Sequence, residues 1–131
     1  MFQRAETPVT LAGVDASKEF FESCFSSQGP EVLWVAHLDS SARCIHLAHY
    51  EGEESGVDFP LRAIIADAAN MGSAGLVMAH NHPSGDSRPS PSDAAATRRL
   101  VQAAEALDVT LLDHLIFAGN DCSSMRRMGL L

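Results

Sequence analysis

The spacing of apolar positions changes several times along the chain, and each change predicts an element. Between Asp15 and Ser27, Phe20, Phe21, Cys24 and Phe25 share one helical face, which predicts a first helix. EVLWVAHLD (31–39) and RCIHLAHY (43–50) predict two strands, joined as a hairpin by a short turn at Ser40 and Ser41. Pro60 suits the first position of a second helix, where its missing N–H costs nothing. Leu61, Ile64, Ile65 and Ala68 continue that helix to a stop at Gly72. AGLVMAH (74–80) is a short apolar run between turn signals, as expected of a buried strand. A long third helix is expected from about Pro91 to Leu107, with Leu100, Ala103, Ala104 and Leu107 facing inward. VTLLDHLIF (109–117) predicts the last long strand, and Gly119-Asn120-Asp121 turns it toward a short tail. Strands alternating with helices imply an α/β sandwich around one sheet. Residues 1–13 read as a loose leader before a domain at 14–131, and 51–58, EGEESGVD, read as an acidic loop.

Composition narrows the function more than the fold. With 131 residues the chain suits a single domain around one core. No apolar stretch reaches membrane-spanning length, and MFQRAETPVTLAG lacks the apolar region of a secretory signal. Cys24, Cys44 and Cys122 form no CxxC pair and read as small buried hydrophobes in a reducing compartment, so a cytoplasmic location is expected. The net charge is -8, Lys18 is the only lysine, and the basic clusters are the pairs Arg98-Arg99 and Arg126-Arg127. That balance argues against a surface that grips nucleic-acid phosphates.

The chemistry concentrates in AHNHPSGDSRPSPSD (79–93). Residues two apart on a strand share a face, so His80 and His82 can aim both imidazoles at one point. Imidazole is a preferred zinc ligand, and a catalytic zinc uses three protein ligands with one position open to water. Asp93, eleven residues after His82, can supply the third ligand if Pro83-Ser84-Gly85 folds the loop back. The same residues also make an ordinary helix start. Ser90 is then the N-cap, Pro91 sits at the first position, and Asp93 answers the helix dipole. The two readings are compatible, because a cap fixes the geometry that a ligand needs.

HNHPSGDSRPSPSD resembles the signature of the RadC-like branch of the JAB/MPN (JAMM) metalloprotein superfamily. The resemblance extends to EVLWVAHLD, PLRAIIADAANMGSAGLVMAHNHPSG, RRLVQAAEALDVTLLDHLIF and MRRMGLL, roughly from residue 15 to the C-terminus. It implies a central mixed β-sheet flanked by helices, related to cytidine deaminases. It also implies one zinc ion held by His80, His82 and Asp93, with a serine assisting at Ser90. Glu31 matches the family's glutamate on the strand after the first helix, its general base. Ser87 stands where the family usually has a proline, and residues 51–58 replace a Gly-Thr-containing segment. Longer members carry a DNA-associated helix-hairpin-helix region, for which this chain has no room.

The resulting expectation is a zinc-dependent hydrolase of peptide or isopeptide bonds, acting on a peptide or protein substrate. The alternatives are a DNA-repair-associated module without peptidase activity and a catalytically silent metal-binding domain. His37, His46 and His49 lack partners at ligand spacing, while Asp113 and His114 are candidates for support near the site or for the core. Nucleotide deamination is disfavoured, because neither His-x-Glu nor Pro-Cys-x-x-Cys occurs. There is no HExxH, no Gly-rich phosphate loop and no nucleophile elbow around Ser84 or Ser90.

Overall fold

A computed structural model describes residues 2–4, 9–25, 30–51 and 59–131. In chain order its elements are β1 (Phe2–Arg4), α1 (Val14–Glu22), β2 (Val32–Leu38), β3 (Cys44–Glu51) and α2 (Leu61–Met71). They continue with β4 (Gly75–Asn81), α3 (Pro91–Glu105), β5 (Thr110–Ala118) and β6 (Asp121–Ser124). Among the described residues one mixed sheet takes the order β1-β3-β2-β4-β5-β6, in which only β4 and β5 run parallel. A parallel pair needs a long crossover, and α3 provides it.

Strand alternation sorts the core into two faces. Leu33, Val35, Leu76 and Met78 pack with Ile64 and Ala68 of α2 and Leu100 and Ala104 of α3. Ala36, Leu38, Val77 and Ala79 face the other way, against Phe21 of α1. The architecture is therefore α/β, with helices on both faces of the sheet. The central strand β4 is buried along its whole length, which explains the unbroken apolar run that precedes its histidine. Gly72 ends α2 with φ 65, and its N–H closes on the carbonyls of Ala68 and Ala69. No helix among the described residues is long and apolar enough to cross a membrane.

Several boundaries differ from expectation. Residues 1–13 are not simply a leader: Phe2–Arg4 pairs with β3, Thr10 bridges Arg43, and Leu11 lies in the core. The sequence FQR is too short for a periodic signal, and its partner lies more than forty residues away. The first helix stops at Glu22 rather than Ser27, and the turn after it lets Phe25 stack on Phe117 with ring centres 5.0 Å apart. Residues 26–29 and 52–58, which include most of the acidic loop, lie outside the described residues. Helix α3 ends at Glu105, so Leu107 is 42% exposed instead of facing inward. The expected tail forms β6, antiparallel to β5. Of the cysteines only Cys44 is buried, and all three are free.

Candidate metal centre

His80 lies near the end of β4 on the face covered by α2 and α3, and its side chain is almost fully buried. His82 follows the end of the strand, but its N–H still bonds the Phe117 carbonyl at 2.8 Å and so extends the ladder. The two imidazoles converge, with Nε2 to Nε2 at 2.9 Å. A turn closed by Gly85 N–H to His82 carbonyl, 3.1 Å, then reverses the chain, with Gly85 at φ 87. Few side chains tolerate that φ, and glycine adopts it freely.

The loop returns at the start of α3. Ser90 caps the helix, and its Oγ accepts from the Asp93 N–H at 3.0 Å while Asp93 Oδ2 accepts from the Ser90 N–H at 2.9 Å. This reciprocal box fixes a wholly buried carboxylate. Its Oδ2 lies 3.0 Å from His82 Nε2 and 3.6 Å from His80 Nε2. Helix cap and candidate ligand are thus the same residue. Burial works to raise the Asp93 carboxyl, but the neighbouring His80 imidazole and the hydrogen bond from the Ser90 N–H outweigh it and hold the group well below the usual carboxylate range.

Glu31 stands just before β2, beside β4, where Leu33 pairs with His80. One of its carboxylate oxygens lies within 4.8 Å of ligand nitrogens on both His80 and His82. Asn81, between the two histidines in sequence, brackets Glu31. Its Oδ1 accepts from Val32 N–H at 2.8 Å, and its Nδ2 donates to the Pro30 carbonyl at 3.1 Å. The side-chain amide thereby stands in for a peptide group one step beyond the last ladder pair. A cleft of about 590 Å³ opens over the cluster, lined by Glu31, His82, Ser84, Arg88 and Ser90 among others.

The donor set fits a cation. Ligands about 2.1 Å from a tetrahedral ion stand roughly 3.3 Å from one another. The three separations among His80, His82 and Asp93 are 2.9, 3.0 and 3.6 Å. His82 Nδ1 lies 2.7 Å from the Asp86 carbonyl, which can only accept, so Nδ1 carries the proton and Nε2 keeps its lone pair. Asp93 Oδ1 and Glu31 Oε1 are buried without a hydrogen-bond partner among the described residues. Buried carboxylate oxygens without partners are costly unless a positive charge compensates them.

The structure thus brings together Glu31, His80, His82, Ser90 and Asp93, all five residues singled out in the sequence. It also brings in His114, which the sequence left between support near the site and the core, and with it residues that the sequence did not mark. His114 Nε2 lies 2.6 Å from His80 Nδ1, and His114 Nδ1 lies 2.8 Å from Thr97 Oγ1. Burial pushes the His114 imidazole well below its ordinary value. Phe59 packs its ring against both His80 and His114. Thr97 had a faint signal, since it follows Asp93 by four and shares its helix face. Phe59 and Asn81 had none, because each acts through a tertiary contact. Asp113 meets none of the ligand side chains among the described residues; its carboxylate accepts from the His114 N–H at 2.7 Å, from Ser124 Oγ at 2.6 Å and from Arg126 N–H at 3.1 Å, holding the corner after β6. Ser87, in place of the usual proline, is tied by its carbonyl to the Ser123 hydroxyl. His37 is buried beside Ser73, away from the centre. Over residues 12–130 the chain matches the family described as RadC-like JAB domain.

Proposed function

Since the chain belongs to the RadC-like JAB domain family, we propose that it is a zinc-dependent hydrolase of peptide or isopeptide bonds. His80, His82 and Asp93 hold the ion in this reading, and Glu31 stays outside the ligand set as the acid/base. The observation that carries it is the convergence of His80 Nε2, His82 Nε2 and Asp93 Oδ2 beside a Glu31 oxygen that has no partner among the described residues. Zinc bound there would supply Lewis acidity, activating water near neutral pH and polarising a scissile carbonyl.

The protein's own groups divide the rest of the work. Glu31 takes the proton that the attacking water loses and delivers it to the departing amine, from a carboxylate already inside the cleft. Ser90 Oγ accepts the Asp93 N–H, which leaves its own hydrogen free to donate to the carbonyl oxygen as negative charge develops there. Arg88 at the cleft rim is paired with Asp86 through Nη2 to Oδ2 at 2.8 Å, so it brings little free charge to a substrate. With a net charge of -8, a peptide is a better match for this chain than a nucleic acid.

The test is elemental analysis of gently purified protein, followed by a peptidase and isopeptidase screen with and without chelator. Wild type should carry one zinc per chain, and His82→Ala and Asp93→Asn should lose it. Equal zinc in wild type and His82→Ala would remove the site assignment. Stoichiometric zinc with no turnover across the screen would instead leave a metal-binding interaction domain.

A further inference from the structure

Behind the cluster, His80, His114 and Thr97 form a buried line of contacts whose direction decides whether His80 can bind a metal. The His114 ring is fully buried and, among the described residues, meets no carboxylate (Asp113 takes only its backbone N–H), so each ring in the line donates at one nitrogen and accepts at the other. Two directions satisfy the contacts. In one, the Thr97 hydroxyl donates to His114 Nδ1, His114 Nε2–H donates to His80 Nδ1, and His80 keeps its proton on Nε2. That proton would then occupy the position where the ion must sit. In the other, His80 Nδ1–H donates to His114 Nε2 and His114 Nδ1–H donates to Thr97 Oγ1. Only this second direction gives His80 Nε2 a free lone pair. It also requires a new acceptor for the Thr97 hydrogen.

Met125 is that acceptor. Its Sδ lies 3.8 Å from Thr97 Oγ1, and a thioether can accept a hydrogen bond but never donate one. Met125 is fully buried, and its N–H donates to the His114 carbonyl at 3.0 Å, so the sulfur is held beside the relay by the strand itself. Asp113 fixes the same corner through Ser124 and Arg126. The neighbouring residues Asp113 and His114 thus act on one device: one anchors the segment that carries Met125, and the other transmits its effect.

We propose that Thr97 and Met125 are positioning residues for the ligand His80, with Met125 Sδ accepting the Thr97 hydroxyl and so holding His80 in the Nδ1–H tautomer that metal binding needs. The inference rests on the zinc reading above, but its test does not depend on hydrolysis. Zinc is titrated into metal-free wild type, Met125→Leu, Thr97→Val and Thr97→Ser in competition with a chromophoric chelator. Thermal melts confirm that each chain is folded. Tautomers are read on the zinc-loaded protein from long-range proton–nitrogen couplings in labelled histidine.

Met125→Leu conserves volume and should weaken zinc binding about tenfold, at the low end for an outer partner of a metal ligand. Thr97→Val should also weaken it, and Thr97→Ser should recover most of the loss. His80 and His114 should both carry their protons on Nδ1 in the zinc-loaded wild type. A His114 protonated on Nε2 in that state overturns the proposal. So does a Met125→Leu chain that is folded and binds zinc as tightly as wild type, and that result leaves the metal reading intact. A wild type that takes up no zinc overturns both.

Discussion

At the scale of single residues, position matters as much as chemical type. Glu31 has an oxygen buried without a partner among the described residues, and Asn81 clamps the backbone on both sides of it. Glu31→Gln should retain stoichiometric zinc and the fold, yet lose about a hundredfold or more in turnover of any substrate the screen returns, the scale for removing an acid/base group. Asn81→Ala should also keep its zinc, because Asn81 is no part of the donor set. Its loss in turnover should be smaller, up to about a hundredfold, as expected when a reacting group is displaced rather than removed. If Asn81→Ala instead emptied the metal site, the division of labour between ligands and base would be wrong. The two histidines were legible because a spacing of two is enough to place them on one strand face. Glu31 was not legible from pattern, since a glutamate before a strand usually faces solvent; the family resemblance marked it. Asn81 sat inside the motif unnoticed, because what it binds is backbone fifty residues earlier in the chain.

At the scale of elements, the start of α3 does two jobs with one set of atoms. Its cap could be read from Ser90, Pro91 and Asp93, because capping is a local transaction between residues three apart. The edge strand β1 could not, because its partner lies more than forty residues away, and β6, although next to its partner β5, is too short at four residues to show a period. Ser90 allows its two jobs to be separated. Ser90→Ala should cost about 1 kcal/mol of stability in urea titrations, whereas Ser90→Gly should cost only a few tenths, since glycine is a tolerable cap. Both variants lack the hydroxyl, so both should lose about a hundredfold in turnover, the scale for one donor to a developing oxyanion. Turnover that followed stability, with Ser90→Gly active and Ser90→Ala not, would reduce Ser90 to a cap.

At the scale of the whole molecule, acid exposes a tension between net charge and one buried ring. The chain carries a net charge of -8 at neutral pH and has a pI near 5.0, so acidification toward pH 5 relieves self-repulsion and by itself favours the folded state. His37 works in the opposite direction. It is fully buried on the α2 side of β2, its Nδ1 is 2.8 Å from Ser73 Oγ, and its Nε2 has no partner among the described residues. Burial lowers its pKa from 6.5 to about 4, with Asp67 partly resisting and His46 adding to the fall. Between those values the unfolded chain binds the proton more readily than the folded one. The contribution of His37 to stability is therefore full above about pH 6.5 and is lost as pH falls through about 4, a change of order 3 kcal/mol. Urea titrations from pH 7 to pH 4, with chelator present throughout, should show wild type losing stability faster than His37→Asn. Asparagine keeps a polar atom near the position of Nδ1 but does not titrate. The variant starts lower because of the lost volume, so the slope is the observable and not the level. Every other residue is the same in both proteins, so its contribution cancels in the difference. Parallel slopes would mean that His37 takes up its proton in the folded state without cost, and that the acid limit of this fold lies elsewhere.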